Sequence, residues 1–213
     1  SMAAALYFEL LEHLPTLVRH WWSHDVRSRG THAALAKFTE AHVSPSLLTR
    51  TFRAIEEGIG AGGGDDFRVK VSLASRQVTA MHACDGSTMQ VVLQLSSCYP
   101  LKPIEVECVQ RVGVSDAKWR KWQRTMTTML LSRNGAIADA LLLFRDNVNA
   151  VFDGVEECPI CYAIVHQTTR QIPKLECKTC HNKFHAPCLY KWFNSSQKNT
   201  CPLCQQPIGH ARE

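Results

Sequence analysis

Features that would place this 213-residue chain in a membrane or outside the cell are missing from its sequence. No apolar run reaches the ~18 residues that a membrane-spanning helix needs. The stretch from Ala3 to Leu14 also lacks the unbroken apolar core of a signal peptide. It is interrupted by Glu9, Glu12 and His13. We therefore predict no membrane contact and no secretion, and the ten cysteines are not expected to form the disulfide framework of a small secreted domain.

A strong excess of one charge is missing as well. The formal net charge is +5, from 24 lysines and arginines against 19 acidic residues. Cysteines that bind metal do so as thiolates, so a metal-bound form of the chain would be less positive still. The overall charge does not indicate a strongly basic protein.

What the sequence does have is a set of paired metal ligands near its end. Two ligands separated by two residues lie on one side of a tight loop, and zinc prefers four such ligands in a tetrahedron. Eight ligands predict two closed zinc sites, which are structural because no position remains open for water. His181 breaks the pair spacing and is not predicted as a ligand. The four pairs are Cys158 and Cys161, Cys177 and Cys180, His185 and Cys188, and Cys201 and Cys204.

The first part of the chain, residues 3–57, has the apolar spacing of helices. Leu10, Leu14 and Val18 belong to one such run. Ser44-Pro45 predicts the start of a later helix, since serine caps helices and proline is tolerated in their first turn. Paired helices of this kind are typical of the end of a helical-repeat array. The glycine-rich run 58–64 is predicted to be a flexible linker and the main domain boundary.

After this linker the apolar period changes from 3.6 to 2, as in half-buried strands. The pattern predicts an antiparallel four-stranded meander followed by two helices, with Asp85-Gly86 in a turn and Ser115 as a helix cap. We therefore predict an α+β multidomain chain. Its second domain would cover residues 65–153 and its third, a zinc module, residues 154–213. The predicted strands lie near 67–73, 78–83, 90–95 and 104–108, and the helices near 115–132 and 136–152.

The loop Tyr99-Pro100-Leu101-Lys102-Pro103 lies between the third and fourth predicted strands. It resembles the Tyr-Pro turn that ubiquitin-conjugating enzymes share with their catalytically silent relatives, the RWD domains. A conjugating enzyme of that family also has a His-Pro-Asn signature and a reactive cysteine downstream of this turn. The sequence has neither, because Cys108 lies in a predicted strand and the next cysteine is Cys158. The resemblance therefore implies an RWD-like domain.

The ligand order, with histidine fifth, resembles two families of zinc module: RING fingers and PHD fingers, which read histone tails. Both families cross-brace their ligands, so the first and third pairs share one ion and the second and fourth pairs the other. A PHD finger usually has an aromatic residue two positions before its seventh ligand, where this chain has Asn199. The resemblance implies one zinc ion held by Cys158, Cys161, His185 and Cys188, and another held by Cys177, Cys180, Cys201 and Cys204.

Three apolar residues match the positions at which RING fingers dock a ubiquitin-conjugating enzyme: Ile160, Trp192 and Pro202. In this family the RING has no nucleophile of its own. It holds the charged conjugating enzyme in a conformation that a substrate lysine can attack. Gln205, directly after the last ligand, takes the position where many RINGs have an arginine that contacts ubiquitin. The alternative is a non-catalytic binding module, either a PHD-like reader or a protein-interaction domain.

The runs Lys183 to Phe193 and Asn199 to Cys204, with the lead-in Gly154 to Glu157, resemble the RING of the listerin family. These are long E3 ubiquitin ligases of ribosome-associated quality control, in which an RWD domain precedes the C-terminal RING. The resemblance implies a C-terminal portion of such a chain, acting in the cytosol. It also implies ubiquitin transfer to nascent chains on stalled large (60S) ribosomal subunits. The expected partners are a ubiquitin-charged conjugating enzyme, the 60S subunit and the nascent-chain quality-control factor bound there.

Overall fold

The computed structural model describes residues 2–60, 64–132 and 136–208. Within these residues, no helix is both long and apolar enough to cross a membrane. The predicted break at residues 133–135 lies outside the described residues. The helices are α1 (Met2–His13), α2 (Pro15–His24), α3 (Arg29–Phe38), α4 (Ser44–Gly60), α5 (Asp116–Ser132), α6 (Ile137–Phe152) and α7 (Ala186–Ser196).

The N-terminal helices differ from the prediction at two prolines. The first apolar run forms two helices, because Leu14 leaves the helical region just before Pro15, and a residue before proline disfavours it. Helix α4 begins at Ser44, as Ser44-Pro45 predicted, but Ser44 does not cap it. A π-helical turn, Thr39–Val43, joins α3 to α4 without a break. The buried Ser44 hydroxyl instead donates to the Tyr99 carbonyl at 2.6 Å.

The predicted linker 58–64 overlaps helix α4, whose last three residues are Gly58 to Gly60. Ile59 is buried in the main hydrophobic core, and this burial stabilises a helical end that the glycines alone would disfavour. Those three residues are therefore helix rather than flexible linker, and residues 61–63 lie outside the described residues. The domain boundaries themselves remain a prediction.

The middle of the chain is the predicted antiparallel meander, with strand order β1-β2-β3-β4. Inward residues such as Val78, Val91 and Leu93 are fully buried, and they form the main core with α5 and α6. Ser115 accepts a hydrogen bond from the Lys118 amide, as predicted for a cap. The strands are β1 (Phe67–Ser72), β2 (Gln77–Cys84), β3 (Ser87–Gln94) and β4 (Glu105–Gln110), with two short strands, β5 (Leu175–Glu176) and β6 (Lys183–Phe184), near the C-terminal end. The predicted α+β fold class is confirmed.

The Tyr-Pro loop joins the N-terminal helices to the sheet. Leu101 of this loop and Cys98, directly before it, are buried in a second core with residues of α1, α2 and α4. Arg19 of α2 donates to the Pro100 carbonyl at 3.1 Å, and burial lowers the pKa of this guanidinium. The side chain stays charged because its ordinary pKa is so high. The loop therefore serves as a packing surface for the helices.

Leu101 provides a test of this docking, because its side chain is fully buried. We expect Leu101→Ala to lower the free energy of unfolding by about 3 kcal/mol, since it removes apolar contacts and leaves a cavity. Leu73→Ala is the matched control, because Leu73 is 51% exposed and should change stability by less than about 0.5 kcal/mol. Chemical denaturation measures both. Equal losses for the two variants would contradict the described packing.

Candidate metal centre

The structure brings the eight candidate ligands together in two groups of four. Within each group the ligand atoms lie within 4.8 Å of one another. The groups cross in sequence: the first pair joins the third, and the second pair joins the fourth. Crossed pairs form one interleaved unit, in which neither group can assemble without most of the module. The groups are Cys158, Cys161, His185 and Cys188, and Cys177, Cys180, Cys201 and Cys204.

The distances within the groups fit tetrahedral metal coordination. Bonds of ~2.3 Å to four sulfurs place neighbouring sulfurs about 3.8 Å apart. The observed Sγ–Sγ distances are 3.7 Å for Cys177 and Cys204, and 3.7 Å for Cys180 and Cys201. In the other group, His185 Nδ1 lies 3.3 Å from Cys161 Sγ and 3.9 Å from Cys188 Sγ. A mixed sulfur–nitrogen edge would be about 3.6 Å long. The donor sets therefore fit a metal ion in each group.

Three of the four ligand pairs each form the same type of backbone turn. In each, the first cysteine amide donates to the carbonyl five residues on, and the amide four residues on donates back to that cysteine. The residue that follows the second cysteine has a positive φ. These residues are Tyr162 at 54°, His181 at 58° and Gln205 at 58°. His181 and Gln205 therefore occupy equivalent turn positions. His181 is exposed, contacts Glu176 at 2.8 Å and stays outside both ligand groups.

The histidine of the first group is oriented by a backbone carbonyl. His185 is fully buried, and its Nε2–H donates to the Ile164 carbonyl at 2.9 Å. This bond leaves Nδ1 free of a proton and directed at the sulfurs. Burial lowers the pKa of His185 and so favours the neutral ring that binds metals. A ligand histidine bonded at its other nitrogen is typical of protein metal sites.

The three predicted docking residues lie at the margin of the module. Ile160 and Trp192 are half-buried and pack against the small core that includes Phe184 and Leu189. The Trp192 indole donates to the Thr200 carbonyl at 2.9 Å, so its ring has a fixed position. Pro202 is half-buried in the last ligand loop, and Gln205 is exposed. The side chains of Ile160, Trp192 and Pro202 thus retain accessible apolar surface.

The segment between the first two ligand pairs contacts the sheet domain. We call residues 163–172 the docking segment. Val165 is 3% exposed and belongs to the main core. The carboxylate of Asp85, in the β2–β3 turn, accepts from the amides of Ile164 at 2.7 Å and Val165 at 2.8 Å. The sequence identified the Asp85-Gly86 turn but gave no signal that Asp85 bonds a residue 80 positions away.

Gly113 marks a close approach on the same interface. Its amide donates to the Arg170 carbonyl at 2.8 Å, and its φ is +68°. A Cβ atom here would lie 3.0 Å from the Ile172 side chain and 3.3 Å from the Phe152 ring. Only glycine fits both this backbone conformation and this spacing. The module therefore sits directly on the sheet domain.

Cys84 and Cys108 of the sheet domain are poor nucleophiles. Burial raises the pKa of Cys84 to about 11 and also raises the pKa of Cys108. A thiol reacts as its thiolate, which is scarce at neutral pH when the pKa is raised.

Three family models match successive parts of the chain. Residues 1–56 match a model described as the LTN1 family HEAT repeat region. Residues 67–150 match the ubiquitin conjugating domain-like model, and residues 156–205 match the Ring finger domain. The three matches follow the order that the sequence predicted.

Curated relatives match almost the whole chain. The proteins named E3 ubiquitin-protein ligase listerin from Schizosaccharomyces pombe and Gallus gallus are each 38% identical over 96% of this chain. The protein of that name from Drosophila melanogaster is 39% identical over 95%. The chain spans only 11% to 13% of the length of these relatives. With these matches over almost its whole length, the chain belongs to the listerin family.

Proposed function

We propose that the chain binds two zinc ions, one in each ligand group. Sulfur-rich tetrahedral sets with one or no histidine are the donors that zinc prefers in structural sites. Zinc would hold the module together, and its sites would have no position for water or substrate. The observed sulfur spacings of 3.7 Å support this assignment.

We propose that the module is a RING-type E3 ubiquitin-protein ligase that binds a ubiquitin-charged conjugating enzyme. The crossed ligand groups are the observation that carries this proposal, because they place Ile160 and Pro202 in two separate loops of one rigid unit. Trp192, on α7, would complete the docking surface. The ligase would act by orientation, holding the thioester where a substrate lysine attacks it.

In this mechanism the sheet domain would be a structural support for the module and would have no reacting group. The pKa values of the Cys84 and Cys108 thiols are raised, and ubiquitin would pass directly from the conjugating enzyme to the substrate. No covalent ubiquitin intermediate would form on this chain. Gln205 would contact ubiquitin through uncharged hydrogen bonds, which are weaker than charge-assisted ones.

We infer the substrates from family membership. The proposed substrates are lysines of nascent chains on stalled large (60S) ribosomal subunits, in the cytosol. The proposed partners are the ribosomal subunit and the nascent-chain quality-control factor bound to it. The N-terminal helices cover Cys98 and Leu101 at the Tyr-Pro loop, so these two residues would not be available to contact either proposed partner.

Ubiquitination by the 213-residue chain with a panel of conjugating enzymes tests the proposed ligase. We expect free ubiquitin chains or modified protein with at least one enzyme of the panel. A titration with histone-tail peptides tests the alternative class of module. If the module bound a histone-tail peptide and no conjugating enzyme of the panel transferred ubiquitin, the module would be a reader and not a ligase.

The metal assignment makes a prediction about Cys177. We expect Cys177→Ala to lower the zinc content and unfold the module, because metal binding contributes to its folding free energy. His181→Asn is the matched control, since His181 lies in the same turn but outside both ligand groups, and asparagine readily adopts its positive φ. Mass spectrometry of bound metal measures both variants. Two zinc ions per chain in the Cys177 variant would show that the ligand pairing is wrong.

A second prediction concerns Trp192. We expect Trp192→Ala to retain both zinc ions and to lose ubiquitin transfer, because the docking surface loses its largest apolar group. Tyr190→Ala is the control: this residue is 54% exposed on the same helix, and we expect it to retain transfer. Trp192→Ala also removes the hydrogen bond from the indole to the Thr200 carbonyl. Ile160→Ala tests the same docking surface and leaves that bond in place. Full transfer by both Trp192→Ala and Ile160→Ala would refute this docking surface.

A third prediction concerns the residue after the last ligand. We expect Gln205→Arg to raise the rate of transfer about fivefold, since a charged donor adds roughly 1 kcal/mol to a hydrogen bond. The Gln205 side chain is exposed, so the longer arginine side chain has room. Arginine would take the same backbone conformation as Gln205 in the turn. Single-turnover discharge of a charged conjugating enzyme measures the rate. Gln206→Arg, one position on, should leave the rate unchanged, and an equal increase there would point to a general charge effect.

A further inference from the structure

One peptide group connects the sheet domain to the first ligand group. The carbonyl of Ile164 and the amide of Val165 belong to the same peptide unit. The carbonyl accepts from His185 Nε2 at 2.9 Å, and the amide donates to Asp85 Oδ2 at 2.8 Å. A continuous hydrogen-bonded path therefore runs from a carboxylate of the sheet domain, through one amide, to a candidate metal ligand.

We propose that Asp85 is a positioning residue of the first metal site. It would act through the 164–165 peptide on His185, and this inference rests on the proposed metal binding. In many metal sites a carboxylate accepts directly from the ligand histidine, fixing its orientation and making it a stronger ligand. Here the amide lies between the two groups and transmits the effect of the carboxylate.

Polarisation of the amide provides the physical link. A carboxylate that accepts from an N–H group draws charge along the peptide and makes its carbonyl a better acceptor, because hydrogen bonds in a chain strengthen one another. The stronger bond to Nε2 favours the tautomer with a free Nδ1. Asp85 also fixes the peptide in space, since it accepts the Ile164 amide at 2.7 Å as well.

The two ends of this path differ in their exposure. His185 is fully buried and Val165 is 3% exposed, so the inner bonds are protected from water. Asp85 itself is exposed, and water competes for its carboxylate. We therefore expect an effect at the low end of the about 10–100-fold found for residues that bond a ligand directly.

The turn that contains Asp85 provides matched variants. Asp85 has a φ of +44°, a conformation that asparagine and glycine adopt readily. Asp85→Asn keeps the shape and removes the charge, and Asp85→Gly removes the acceptor without backbone strain. Ser87→Ala is the control, because it removes a 2.7 Å contact of Arg170 in the same interface and leaves the 164–165 peptide bonded.

Metal affinity in the 213-residue chain is the main test. Titration with a chelator should release one of two zinc ions about tenfold more readily in Asp85→Gly, less so in Asp85→Asn and unchanged in Ser87→Ala. Cadmium-113 resonances of the substituted protein assign the loss, because the first group has three sulfurs and a nitrogen and the second has four sulfurs. The four-sulfur site should keep its affinity and serves as the internal reference.

The imidazole resonance of His185 gives a readout that loss of packing alone would not produce. We expect the Nε2–H proton signal to shift in Asp85→Asn and to remain in place in Ser87→Ala. Equal weakening of both sites, or equal effects of Asp85→Gly and Ser87→Ala, would overturn the inference. A wild-type chain that binds no zinc would instead refute the proposed metal binding. Two tightly bound zinc ions in all variants would overturn the role of Asp85 alone.

Discussion

The C-terminal module depends on the crossing of its two ligand groups. Its own core is small, built around Phe184 and Leu189 with the ligand cysteines. Such a core supplies little hydrophobic stabilisation, and small domains often need a metal to fold. Because the second and third pairs belong to different groups, β5, β6 and α7 are fixed by both groups at once. The margin of the module can then leave apolar side chains accessible without losing its shape.

The contact between the module and the sheet domain is equally specific. Val165 enters the main core, Gly113 lets the docking segment approach closely, and Asp85 accepts two of its amides. A flexible tether would supply none of these contacts. The docking segment thus belongs to two structures: it is a loop between ligand pairs and also part of the packing of the sheet domain.

The sequence predicted what repeats locally and missed what depends on tertiary contacts. Ligand pairs, alternating strands and the Asp85-Gly86 turn have periodic or fixed spacing, so the meander and the four pairs could be recognised. The Ser44 cap was wrong because a carbonyl from the Tyr-Pro loop, 55 residues away, takes its hydroxyl. Gly58 to Gly60 are helical because burial of Ile59 outweighs the low helix propensity of glycine. The contacts of Asp85 leave no pattern in a single sequence.

Fixed mounting has a consequence for a ligase that works by orientation. The mechanism proposed here adds no reacting group, so its rate depends on how often a substrate lysine meets the thioester. Direct packing of Val165 and Gly113 would restrict the directions in which a docked conjugating enzyme can point. The N-terminal helices also pack against the sheet domain, at Leu101 of the Tyr-Pro loop and the neighbouring Cys98. Helices, sheet and module are thereby linked by packed contacts, and the reach of the proposed enzyme would be set by the scaffold rather than by a linker.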